Sequence, residues 1–169
     1  MIEVRAEQPG DRAAIHAINK AAFAQEAEAD IVDRLRASCP GYVSFVAVEQ
    51  GVVLGHILFT PVTLDGGDAV GMGLAPLAVA PADQRRGIGT LLVRHGLAHL
   101  RRLGCPFVIV LGLPEYYPRF GFEPASRYKL ASQWQGVPDA AFMAIVFDRT
   151  ALPEAGGIAR YRAEFDAAM

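Results

Sequence analysis

Two cysteines, Cys39 and Cys105, in 169 residues are too few for a disulfide scaffold or a four-ligand zinc site. Buried, reduced thiols are the simpler reading. No stretch approaches the roughly 18 consecutive apolar residues of a membrane helix. The opening MIEVRAEQPGDR has no apolar core of the kind a signal peptide needs. The expectation is therefore a cytoplasmic protein with no membrane partner. Neither sign of charge dominates: 16 Lys plus Arg against 18 Asp plus Glu leave a net charge of −2. That excludes the strongly basic balance of a general nucleic-acid binder. Lysine is scarce, 2 residues against 14 arginines, so a single arginine carries little functional weight.

What is present is apolar and patterned. A hydrophobic fraction of 52% and a charged fraction of 20% at this length are enough to bury one core without staples. Residues 2–5 alternate as a short strand, and Asp11 is a candidate N-cap for a helix carrying Ile15, Ile18, Ala22 and Phe23. A second helix is predicted over 28–37. The β-rich runs 42–48, 52–64 and 70–80, joined by Glu49-Gln50-Gly51 and Asp65-Gly66-Gly67-Asp68, form an antiparallel meander. A helix from about 88 to 103 and the apolar run Phe107–Leu111 follow, so that 70–111 reads as strand, helix and parallel strand. A helical turn or two is predicted over 114–120 and a last strand over 141–147. The pattern gives one α+β domain over residues 1–150, with a mixed central sheet flanked by helices. In that sheet an antiparallel meander adjoins a parallel strand pair joined by a crossover helix. Residues 151–169 form a C-terminal extension whose 158–168 stretch reads as helix.

The most informative segment is VAPADQRRGIGTLLV, residues 79–93. A strand ends, Gln84-Arg85-Arg86-Gly87-Ile88-Gly89 follows, and a helix begins. Free N–H groups at that helix start, at the positive end of its dipole, suit an anion. Glycines at 87 and 89 let a ligand approach the backbone. No Gly-Lys-Ser/Thr follows, so the Walker pattern is absent. The alternative is a glycine-assisted turn with two solvated arginines. From Gln84 to Pro114 there is no acid, while Arg85, Arg86, Arg94, Arg101 and Arg102 are present, and this local charge favours a phosphate-bearing ligand.

This segment resembles the Q/R-x-x-G-x-G/A signature of the Gcn5-related N-acetyltransferase (GNAT) superfamily. A second family feature, a tyrosine ahead of a Gly-Phe pair, is matched by Tyr117-Pro118-Arg119-Phe120-Gly121-Phe122. The order of elements is similar to the family fold over residues 2–149, and the run GLAPLAVAP resembles an uncharacterised bacterial branch. The resemblance implies an N-acetyltransferase that transfers an acetyl group from acetyl-CoA to a primary amine, with a small molecule preferred to a peptide as acceptor and a homodimer allowed. It implies that Gln84, Arg85, Arg86, Gly87, Ile88, Gly89 and Thr90 hold the pyrophosphate, mostly through main chain. Leu77, Ala78 and Val79 would pair with the pantetheine arm. In the reaction it implies, Val79 N–H stabilises the oxyanion and Tyr117 protonates the departing thiolate. Tyr116 beside it is the internal control, and ring packing under the Gly-Phe turn is the structural alternative for Tyr117.

The general base is the weak point. Residues 71–77 of the fourth strand contain no carboxylate, and Leu113 stands where an acid is expected. Glu26, Glu28 and His56 are the remaining candidates, although a lone histidine on an apolar strand is more often a hydrogen-bonded core residue. Glu26, Glu28, Asp30 and Asp33 on the N-terminal helices favour a cationic acceptor. His95 and His99 have the spacing of a zinc pair, but Gly96 stands where the zincin motif needs Glu and no third ligand is evident, so no metal is expected. Cys105 has no histidine arrangement to make it a nucleophile. The missing base also keeps open a rival reading, a non-catalytic acyl-CoA-binding sensor.

Overall fold

The structure, a computed structural model, describes residues 1–169. Its elements are β1 (Glu3–Ala6), α1 (Arg12–Phe23), α2 (Ala27–Ser38), β2 (Val43–Glu49), β3 (Val52–Leu64), β4 (Val70–Val79), α3 (Ile88–Arg102), β5 (Phe107–Leu111), β6 (Glu123–Pro124), β7 (Leu130–Ser132), β8 (Phe142–Val146) and β9 (Gly157–Arg160). The strands share one mixed sheet in the order β1-β2-β3-β4-β5-β8-β6, with β9 joining β3 and β7 at the side. Only β4–β5 and β7–β9 are parallel.

Alternation along the strands divides the core into two layers. On β3, Leu58 and Val62 pack with α1, α2 and the C-terminal segment, while Ile57 and Phe59 pack under α3. On β5, Phe107 and Ile109 serve the first layer and Val108 and Val110 the second, all four being fully buried as a two-faced strand requires. The strand–helix–strand unit, the meander and the placement of α3 agree with the sequence reading.

Three local expectations change. Asp11 does stand before α1, but its carboxylate does not cap that helix. It accepts from Gln8 N–H (2.7 Å) and from the Arg5 guanidinium (2.7 and 3.0 Å) instead. Within 114–120 only Tyr117–Phe120 forms a single 3-10 turn. The 158–168 stretch is helical only in its second half, and there as a 3-10 helix rather than an α-helix. Residues 157–160 form β9, whose Arg160 and Ala159 pair with Thr63 and Leu64, and Ala163–Ala168 is a 3-10 helix. β2 reaches β3 only as far as Phe59, so the far end of β3 has a free edge that β9 occupies.

The relation between β4 and β5 places the site. They pair only from Met72 to Leu74, opposite Val108 to Val110. Beyond Leu74, two β4 residues, Ala75 and Pro76, oppose the single β3 residue Leu58, the signature of a bulge that bends and re-aims its strand. Pro76 also lacks an N–H with which to continue a ladder. From there to Val79, β4 has β3 on one side and no strand on the other.

Candidate functional site

A cavity of about 800 Å³ fills the gap between the parted strands. Leu77, Ala78, Val79, Gln84, Arg85, Gly87, Ile88, Gly89, Thr90 and Tyr117 all line it, so every expected cofactor-binding or catalytic residue except Arg86 converges on one space. Arg86 does not. Its guanidinium is bound by Glu49 (3.0 Å) and Asp83 (2.9 Å), so its side chain braces the loop from outside.

The N-terminus of α3 is open toward this space. Gly87 precedes the helix at φ +80°, a left-handed conformation that favours glycine, and no side chain caps the first turn. The first intrahelical bond joins Leu91 N–H to Gly87 C=O (3.1 Å), so the N–H groups of Ile88, Gly89 and Thr90 have no partner within the helix. These three residues line the cavity, and α3 has no acid in its first turn to compete for them. The chemistry of this end is that of an anion receptor.

The free edge of β4 forms the adjoining wall. Ala80 N–H donates to Leu54 C=O (2.9 Å), which makes 54–80 and then 56–78 the hydrogen-bonded pairs of the antiparallel ladder. Leu77 and Val79 fall at the alternate positions, so their N–H and C=O groups point away from β3 into the cavity. The Gln84 side chain donates to Val79 C=O (3.1 Å), tying the loop to the strand end.

Tyr117 reaches the cavity from the far side, at 9% exposure. Its ring packs edge-on against Tyr116 and Phe122, so the packing role and a role in the cavity coexist. Burial, with Tyr116 adding to it, pushes the Tyr117 hydroxyl above its ordinary pKa and keeps it protonated. Tyr116 lines the same cavity nearer α3, with its hydroxyl 3.3 Å from Thr90 Oγ1.

The candidate bases separate clearly. His56 is fully buried outside the cavity. Its Nε2 lies 3.0 Å from Ser44 Oγ and its Nδ1 3.1 Å from Asn19 Nδ2. Because Ser44 Oγ donates to Glu7 (2.7 Å), the consistent assignment is His56 Nε2–H donating to Ser44 and Nδ1 accepting from Asn19. Burial lowers the His56 pKa to about 4 against the pull of Glu7, so the ring is a neutral core group. Glu26 is turned to Lys20 (2.7 Å) and His16 (3.4 Å), and Asp33 to Arg36 and His16. Of the four acids on α1–α2 only Glu28 lines the cavity. His95 and His99 pack edge-on against Phe45, at 4.6 and 5.2 Å between ring centres. Residues not anticipated as walls are Ala22, Phe23 and Ile31 from α1–α2 and Phe165, Ala168 and Met169 from the tail. The tail carries no local motif that would have revealed this.

Comparison with known proteins agrees with this geometry. The family model described as the acetyltransferase (GNAT) family matches residues 12–122. The N-acetyltransferase YhbS of Escherichia coli, whose function is uncharacterised, is 35% identical over 164 residues, covering 96% of this chain and 98% of YhbS. A second E. coli relative, the uncharacterised N-acetyltransferase YjhQ, is 44% identical over 123 residues, 70% of this chain and 68% of that one. The crystal structure of YhbS in complex with CoA superimposes with a TM-score of 0.90 at 34% identity, covering 98% and 92% of the two chains. A GNAT family acetyltransferase from Brucella melitensis, solved with acetyl-CoA, gives 0.82 at 37% identity over 98% and 99%. No helix of this chain is long and apolar enough to cross a membrane.

Proposed function

Since the chain belongs to the acetyltransferase (GNAT) family, we propose that it transfers the acetyl group of acetyl-CoA to a primary amine held in the same cavity. The observation that carries this reading is the meeting of an uncapped helix start with an unpaired strand edge across one space. Acetyl-CoA fits both. The N–H groups of Ile88, Gly89 and Thr90, with Gly87 leaving their approach clear, receive the pyrophosphate. Leu77 N–H and C=O offer the pantetheine amides the ladder partners that β5 does not supply, which leaves Val79 N–H for the reacting carbonyl. Gln84 and Arg85 flank that end, and Arg86 contributes by holding the loop.

The neutral amine attacks the thioester carbonyl carbon, the C–N bond forms and the C–S bond breaks. Val79 N–H donates to the oxygen as it gains charge. Tyr117 gives its proton to the departing sulfur and takes one back from the nitrogen, so the enzyme ends as it began. The absence of a carboxylate on β4 favours the rival, a CoA-binding module without turnover. One experiment separates them: a thermal shift with acetyl-CoA, followed by thiol release on adding primary amines. A shift with amine-dependent release supports the transferase; a shift with no release for any amine leaves the binding module; no shift removes both.

A further inference from the structure

The far end of the cavity has a chemistry of its own. Three large apolar side chains stand exposed around its mouth: Phe23 at 39%, Leu113 at 61% and Met169 at 58%. Exposed apolar side chains scattered singly need no explanation, but a group gathered on one concave rim marks a binding surface. Ile31 and Phe165 continue the apolar wall inward. Glu28 is the only acid among the residues lining the whole cavity, and its one hydrogen-bond partner is the neutral side chain of Gln25 (2.6 Å). The neighbouring acids Glu26 and Asp33 are each matched by cations, whereas Glu28 has no cation at hand. Of the cations that line the cavity, Arg85 stands at the α3 start and Arg119 lies over the Tyr116 ring (4.4 Å), its guanidinium donating to the C=O groups of Tyr116 and Glu115.

We propose that the acceptor is a primary amine with an apolar body, whose ammonium is received by Glu28 and whose body lies against Phe23, Ile31, Leu113 and Phe165. The proposal rests on the transferase reading and specifies its acceptor. Glu28 is the group placed to take the ammonium proton before attack, which returns the lone pair to nitrogen, and its partly exposed carboxyl then releases that proton to solvent. A second charge at the distal end of the acceptor would have to enter the apolar wall unpaired, at a penalty no residue there offsets. A polyamine or an amino acid therefore fits poorly, and so does a polar peptide terminus.

Three acceptors of equal chain length isolate this feature: hexylamine, 1,6-diaminohexane and 6-aminohexanoate, each assayed by thiol release with acetyl-CoA. The expected order places hexylamine at least tenfold above both others in kcat/KM. Lengthening from butylamine to hexylamine should raise kcat/KM by about fourfold per methylene, the factor that corresponds to burying one CH₂. Glu28→Gln should lower kcat/KM for hexylamine at least tenfold while the acetyl-CoA thermal shift stays unchanged. Equal or inverted preference among the three acceptors overturns the proposal. So does a Glu28→Gln enzyme within twofold of the parent. An acetyl-CoA shift with no turnover of any of the three overturns the acceptor assignment alone, whereas loss of the shift in the parent protein removes the transferase reading beneath it.

Discussion

Tyr117 occupies the space where a side chain on Gly112 would be: a β-carbon there would overlap its ring. The closely fitted contact fixes the ring at the end of β5, where Tyr117 lines the cavity. A proton donor held this way lowers the barrier to expelling a thiolate, typically by about 10²- to 10⁴-fold. Tyr117→Phe should reduce turnover within that range and leave the acetyl-CoA thermal shift intact, since the ring and its packing remain. Turnover near the parent level at saturating acetyl-CoA would assign the proton to another group. Gly112→Ala should displace the ring, lowering turnover at least tenfold and stability by about 1–3 kcal/mol.

Tyr116 makes a different contact and should behave differently. Its hydroxyl meets Thr90 at the start of α3, on the side assigned to the pyrophosphate. Tyr116→Phe should leave kcat within a few-fold of the parent. It should raise the acetyl-CoA KM by roughly 2- to 10-fold, the worth of one ordinary hydrogen bond. A large fall in kcat with unchanged KM would mean the two tyrosines have exchanged roles.

Gly87 tests the anion site. Nothing lies within 4 Å of a β-carbon built there, so only its φ of +80° resists a side chain. Gly87→Ala should cost about 1–2 kcal/mol through that conformation and still show an acetyl-CoA shift. Gly87→Glu places a carboxylate in the path of the phosphates and should abolish the shift. Retention of the full shift by Gly87→Glu would move the phosphates elsewhere.

Much of this arrangement is legible in the sequence because its causes are local. Gln84–Gly89 announces the helix start, and the two-faced apolar run of β5 announces a buried parallel strand. The cavity follows from those two elements and the gap between them. The tail is different. Ile158, Tyr161 and Phe165 have near-helical spacing, yet the free edge of β3 at Thr63–Leu64 takes this segment as a strand. A partner nearly a hundred residues away leaves no local trace. Glu28 stands among four acids that look alike in sequence: Lys20, His16 and Arg36 hold Glu26 and Asp33, and of Glu28 and Asp30 only Glu28 lines the cavity.

His56 should make the fold acid-sensitive above the usual carboxylate range. Its folded pKa is about 4 against an ordinary value of 6.5, so between those values the unfolded chain binds a proton that the folded one refuses. Stability therefore falls as pH drops from 6.5 through 4, by up to about 3 kcal/mol, and this contribution flattens below 4. Glu7 and Glu164 have lowered pKa values and lose their stabilisation only as pH falls below 4.5, so the upper part of the window reports histidines: the fully buried His56, and the half-buried His95, whose pKa burial also lowers. Urea midpoints measured at pH 7, 6 and 5 should decline in the parent and decline less steeply in His56→Gln, where only the half-buried His95 still contributes. A decline of equal size in both would place the sensitivity on another group.

The tail should prove to be both a wall and a brace. Phe165 is buried against Tyr161 and also lines the cavity, while Glu164 accepts hydrogen bonds from Ser38 on α2 and from Arg162. Those two hydrogen bonds lower the Glu164 pKa to about 2 from 4.5. Because the folded pKa is depressed, the stabilisation is present above 4.5 and is lost as pH falls through about 2. Glu164→Gln should lower the urea midpoint at pH 7 and narrow its gap to the parent as pH falls toward 3. Phe165→Ala removes a buried ring and should cost about 3–5 kcal/mol at either pH, because no charge is involved. Both variants should keep the acetyl-CoA shift, since the α3 start and the β4 edge are untouched. A tail that served only as surface cover would show neither the pH-dependent gap for Glu164→Gln nor a cost of that size for Phe165→Ala.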